Sequence, residues 1–118
     1  MYNTKILTDN GVNLEKSLEL FGDMDTYNET LVDFLNDVER KLHDIKKYKE
    51  LSDMANYAIL VHSLKSDAKY FGFERLAELA YNHEMKSKAN DTSYVNANYD
   101  ELQKEIDRII KIIKEYLG

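Results

Sequence analysis

The 118-residue chain predicts an all-α fold: an antiparallel up-and-down four-helix bundle with a short extra helix at its N-terminal side. Three observations carry this. There is no Pro and there are only four Gly, at 11, 22, 72 and 118, so nothing interrupts long helices. Apolar residues recur at steps of three and four along four separate stretches, the period of one helix face. The connections between these stretches are short, so each stripe can bury itself only against its neighbours. A hydrophobic fraction of 43% and a charged fraction of 32% suit one folded domain, read here as residues 1–118 with a leading segment 1–12 and a bundle over 13–117.

The short helix covers 13–21, with Asn13 as its N-cap and Gly22 just past its end. The first long helix begins at Asp25. Tyr27, Leu31, Phe34, Leu35, Val38, Leu42 and Ile45 form its apolar stripe over about 20 residues. Glu29, Asp33, Asp37, Glu39 and Arg40 lie opposite, and the polar run Lys46–Ser52 is expected to end it. The second long helix starts at Ser52 or Asp53, either a good N-cap, and stops at Gly72, which suits a left-handed helix end. Tyr57, Leu60, Val61, Leu64, Ala68 and Phe71 are its buried stripe. The third carries Phe73, Leu76, Leu79, Ala80 and His83 on one side and fades over Lys86–Asp91. The last runs from near Thr92 almost to the end, with Tyr99, Leu102, Ile106, Ile109, Ile113 and Tyr116 in a heptad-like seam.

Composition excludes several functions. Sixteen basic against twenty-two acidic residues give a net charge of −6, unsuited to wrapping nucleic acid or an anionic membrane. No stretch approaches the roughly 18 apolar residues of a membrane span, and the first residues lack the apolar core of a signal peptide, so a cytoplasmic location is expected. Without Cys there is no disulfide, thiolate chemistry or Cys-ligated zinc. The four Gly positions accommodate neither GxxxxGK[ST] nor GxGxxG, so any phosphoryl group comes from something other than ATP held by this chain. The residues three before His43, His62 and His83 are Arg40, Ile59 and Ala80, so the Glu-x-x-His pairs of a di-iron bundle are missing. No His-Glu-x-x-His zinc motif or Gly-x-Ser-x-Gly turn occurs. Neither a cofactor nor a metal is expected.

The chemistry centres on His62. At 100° per residue it lies roughly 140° from the centre of its helix's apolar stripe, facing out. Ala55, Ala58, Ile59, Ser66 and Lys69 share this outward strip, and Lys65 sits at its edge. An exposed imidazole has a lone pair available near neutral pH. Lysines three and seven residues on can offset charge on a transferred group, while small Ser66 leaves the ring uncovered. Exposed Ile59 gives a partner something apolar to dock on. Two readings stand at this stage: a phosphoryl acceptor, or an ordinary surface His on an amphipathic helix. Glu84, at the flank of the third stripe, either orients the His62 ring across the helix interface or simply pairs with Lys88 at i,i+4. His83 reads as a packed core residue, and His43 as a cation favoured by the nearby helix C-terminus.

The run Val61-His62-Ser63-Leu64-Lys65-Ser66-Asp67-Ala68-Lys69-Tyr70-Phe71-Gly72-Phe73, followed by Leu76-Ala77-Glu78-Leu79-Ala80, resembles the signature of histidine phosphotransfer (HPt) domains. The resemblance covers about 13–117, and the specific motif about 58–90. It implies a helical bundle whose His takes a phosphoryl group from the Asp of a response-regulator receiver domain and passes it to another receiver in a multistep phosphorelay. It places His62 as acceptor, Lys65 as assisting Lys, Gly72 at the turn into the next helix, and Glu84 on the ring nitrogen that is not phosphorylated. Ser66 departs from the commonest residue there, Gly. Ile59, Ser66, Lys69, Gly72 and Lys88 are the candidate binding residues around them. Kinase dimerisation helices usually have an acidic residue after their His and a Pro beyond; here Ser63 follows and Pro is absent. The expected partner is thus a receiver domain, with the chain either a free-standing monomer or a piece of a hybrid sensor histidine kinase. The competing function is a non-phosphorylated helical adaptor docking through the same face.

Overall fold

The computed structural model describes residues 2–118, and among these every regular element is helical, with no strand. In chain order they are α1 (Lys5–Thr8), α2 (Leu14–Phe21), α3 (Met24–Glu50), α4 (Met54–Phe71), α5 (Glu74–Lys88) and α6 (Thr92–Leu117). Four starts are fixed by short polar side chains. Asn13, Asp23, Asp53 and Asp91 each accept from the backbone N–H three residues on, which satisfies a donor the helix itself cannot.

The four long helices pack in a ring, α3 on α4, α4 on α5, α5 on α6 and α6 back on α3. The predicted stripes point inward: Tyr27, Leu31, Val38 and Ile45 from α3, Tyr57, Val61, Leu64 and Ala68 from α4, Leu76 and Ala80 from α5, and Leu102, Ile106, Ile109 and Ile113 from α6 are buried. Leu35, Leu42 and Leu60, placed on the same stripes, are only partly buried, because they sit at the stripe edges. At one end Phe21, Tyr27, Phe34, Phe71 and Phe73 form an aromatic cluster, and the buried Tyr27 hydroxyl donates to the Phe71 carbonyl at 3.0 Å.

Two expectations are corrected. The polar run after Ile45 does not end α3, which continues to Glu50; Lys and Glu are good helix formers, and Lys47 and Lys49 in the last turn oppose the dipole. The stop comes at Ser52, whose positive φ of 53° breaks the helical path. His43 therefore sits inside the helix, two turns from its end. The leading segment, read as polar, adds α1 and buries Leu7 and Val12, and Arg108 on α6 clamps it by donating to the Asn10 carbonyl at 3.1 Å. Two buried apolar residues, five positions apart, are too few for a period to show.

Gly72 ends α4 with φ 79° and ψ 20°. Asn13 N–H donates to its carbonyl at 2.9 Å, joining the start of α2 to the α4–α5 corner. This corner sets the path of α5 relative to α4, and with it the site between them.

Candidate functional site

α4 and α5 form the most intimate pair in the bundle, and the site lies across their seam. His62, at the middle of α4, projects outward with a side chain 56% exposed. Glu84, on α5, is only 2% exposed, deeper than the rim position its flanking place on the wheel suggested. Its Oε2 is 2.7 Å from His62 Nδ1 and 2.8 Å from Lys88 Nζ. Its Oε1 is 2.6 Å from Lys65 Nζ, an ion pair whose angle does not make it a directed hydrogen bond. The i,i+4 pairing with Lys88 and the reach across to His62 thus coexist on one oxygen. Burial raises the Glu84 pKa, but the close Lys65 and Lys88 ammoniums and the His62 ring outweigh it and bring it down to about 2.

That ionisation fixes the imidazole. A carboxylate at neutral pH can only accept, so Nδ1 carries the proton and donates to Oε2. The lone pair is left on Nε2, which has no hydrogen-bond partner among the described residues. A groove of about 610 Å³ runs beside the ring, past Ile59, Ala58 and Met54 on α4 and Ser87 and Lys88 on α5. Ile59 is 65% exposed at its lip.

Of the predicted site residues, the structure gathers His62, Lys65, Glu84 and Lys88 at one point and puts Ile59 on the adjoining groove. Lys65 is directed at Glu84 with a side chain only 14% exposed, whereas Lys88 is 58% exposed. Ser66 is partly buried one turn beyond the ring. Lys69 is exposed but lines a separate groove with Lys16, Gly72 and Tyr81. Two placements are corrected. Ala58, put on the outward strip, is only 6% exposed. Gly72, a candidate binding residue around His62, is instead buried against Asn13 and Ser17 at the corner, and lines the Lys69 groove rather than the one beside the ring.

One network lay beyond a single-helix reading. His83, next to Glu84 and 1% exposed, donates from Nε2–H to the Asn98 carbonyl at 3.2 Å and accepts at Nδ1 from the Tyr57 hydroxyl at 2.8 Å. The facing groups are Tyr57 from α4 and Tyr94, Asn98 and Glu101 from α6. Burial lowers the His83 pKa, against weaker opposing effects of the Asn98 carbonyl and Glu101. The folded protein therefore binds this proton less readily than the unfolded chain. Stability from neutral His83 is full above about pH 6.5 and falls as pH drops below it towards the depressed folded value. Urea midpoints between pH 7.5 and 5 should decline in the wild type and lose much of that slope in His83→Leu; an unchanged slope removes His83 from the effect.

No cluster of three or more His, Asp or Glu side chains able to hold a metal occurs among the described residues. Nor is any described helix long and apolar enough to cross a membrane.

The Hpt domain family matches residues 29–111, a span that takes in most of α3 through most of α6 and contains His62, Lys65 and Glu84. The phosphorelay intermediate protein rdeA of Dictyostelium discoideum is 24% identical over 88 residues, covering 75% of this chain and 35% of that protein. The chain thus spans about a third of that relative's length. No solved structure matches. With the matched span centred on the α4–α5 seam and its exposed imidazole, the chain belongs to the Hpt domain family.

Proposed function

We propose that this chain is a phosphorelay carrier in which His62 Nε2 takes a phosphoryl group from the aspartyl phosphate of a response-regulator receiver domain and passes it to the aspartate of another. The observation that carries this reading is the 2.7 Å contact from Glu84 Oε2 to Nδ1 of an exposed His62 ring: a carboxylate there can only accept, which directs the proton to Nδ1 and the lone pair to Nε2. Membership of the Hpt domain family and a relative named as a phosphorelay intermediate support it.

The step balances without moving a proton. The Nε2 lone pair attacks phosphorus, the N–P bond forms as the P–O bond breaks, and the receiver aspartate leaves as a carboxylate. The ring retains Nδ1–H and becomes a phosphoimidazolium, whose positive charge faces the Glu84 carboxylate. Return to a second receiver reverses these bond changes. The groove beside Ile59 is the apolar surface on which a receiver docks. Nothing here is an enzyme's cycle, since the phosphoryl group leaves with the carrier.

Incubation with a ³²P-labelled phosphorylated receiver tests this. The chain should acquire an acid-labile, base-stable phosphate, and His62→Gln should reduce it to background with the fold intact. Label that survives in His62→Gln, or binding without any transfer in the wild type, rejects the carrier; the second result is that of a docking adaptor.

A further inference from the structure

The Glu84 carboxylate is 2% exposed, and its two oxygens are served unequally. Oε2 receives His62 Nδ1 and Lys88 Nζ, while Oε1 meets Lys65 Nζ alone. Lys88 needs no help to reach Glu84, being one turn further along the same helix. Lys65 comes from the neighbouring helix on a flexible four-carbon stem, yet its side chain is only 14% exposed. Something covers it and keeps it there.

The covering group is Tyr81. Its ring centroid is 5.6 Å from Lys65 Nζ, within cation–π range. Tyr81 lies three residues before Glu84 on α5, and Lys65 three residues after His62 on α4. Aromatic ring and carboxylate therefore occupy adjacent turns of one helix face, and the ammonium sits against both. Among the described residues no aromatic ring lies over the Lys88 ammonium in this way, and its side chain is 58% exposed. The two lysines are therefore not equivalent. Lys88 stands open to solvent beside the ring, whereas Lys65 lies between Tyr81 and Glu84.

We infer that Tyr81 is a positioning residue for His62: its ring holds the Lys65 ammonium on Glu84 Oε1, and the carboxylate, charge-paired on both oxygens, holds the imidazole with its proton on Nδ1. Lys65 then acts through Glu84 and not by touching the transferred group. Without its aromatic cover the ammonium swings into water, Oε1 is left buried and bare, and the carboxylate is free to turn away from the ring. The phenol oxygen takes no part, so the aromatic face alone matters. The functional part of this inference rests on the carrier reading above.

NMR of the free 118-residue chain tests it independently of any partner. In the wild type the Lys65 ε-protons should be displaced upfield by the Tyr81 ring current, and ¹⁵N shifts should show the His62 Nδ1–H tautomer. Tyr81→Phe should preserve both. Tyr81→Leu should abolish the displacement and mix the His62 tautomers, and Lys65→Met should mix them equally. Transfer from a phosphorylated receiver should slow by about two- to fivefold in Tyr81→Leu, the size of an exposed cation–π contact, and return in Tyr81→Phe. Receiver affinity should stay within about twofold of wild type, since a positioning role does not act through docking. Unchanged Lys65 shifts and tautomer in Tyr81→Leu overturn the inference, as does an equal loss in Tyr81→Phe or a loss of affinity alone. Should the wild type accept no phosphoryl group at all, the carrier reading falls, and the two NMR measurements still decide whether Tyr81 positions Lys65 and His62.

Discussion

On the proposed carrier function, Glu84→Ala should slow phosphoryl transfer to His62 by about 10- to 100-fold, the range found when a carboxylate that orients a metal-bound His is lost. The change removes the acceptor at Nδ1, so the ring is free to rotate and to place its proton on Nε2, where the lone pair is needed. It also strands Lys65, a cation with a side chain only 14% exposed whose carboxylate partner is gone. Leaving such a group without its partner costs about 1–3 kcal/mol of stability. Glu84→Gln separates the two effects. An amide oxygen can still accept from Nδ1–H, so much of the transfer rate returns, while the countercharge for Lys65 and Lys88 does not. Acid acts on wild-type Glu84 in the same sense. Its pKa is depressed from 4.5 to about 2, so its stabilising contribution is complete above the ordinary carboxylate value and disappears as pH falls towards 2. Single-turnover transfer kinetics and urea unfolding of the two variants check this; transfer at the wild-type rate in Glu84→Ala removes Glu84 from the site.

Gly72→Ala destabilises the fold by about 2–4 kcal/mol. The left-handed backbone at φ 79° costs any residue with a Cβ about 1–2 kcal/mol. The added Cβ would also stand 2.5 Å from the Asn13 carbonyl oxygen and 2.8 Å from Ser17 Oγ. The first of these is backbone and cannot swing aside. Relief requires α2 to move off the corner, which breaks the Asn13 N–H to Gly72 carbonyl bond, itself about 1 kcal/mol. Chemical denaturation should show the loss directly, and transfer by the remaining folded protein should be only mildly affected. A loss below about 0.5 kcal/mol would mean the α2–α4 corner is far softer than its geometry implies.

The helices and their buried faces could be read from the chain because each stripe is a local pattern, and Tyr27 through Ile45 or Leu102 through Ile113 repeat it several times over. His62 was legible for the same reason, lying far from the apolar stripe of its helix, although Ala58 on the same outward strip is buried. Glu84 was legible only by half. Its place beside the stripe suggested a rim carboxylate, and its burial arises from lysines on two helices converging to neutralise it, which no single helix encodes. Gly72 shows the same limit. Its left-handed turn followed from residue type, but the close approach of Asn13 belongs to the packing of α2, 59 residues away in sequence. The buried His83 was read correctly as core, while its bonds to Tyr57 and Asn98 depend on three helices meeting. Tyr81 carried no signal, since an exposed aromatic residue acquires meaning only from the ammonium beneath it.

The regiochemistry of phosphorylation is the most direct test of the site. After transfer from a phosphorylated receiver to uniformly ¹⁵N-labelled protein, ³¹P–¹⁵N coupling should place phosphorus on His62 Nε2, with Nδ1 still protonated against Glu84. Phosphorus on Nδ1, or on His43, His83 or any other side chain, would contradict the account.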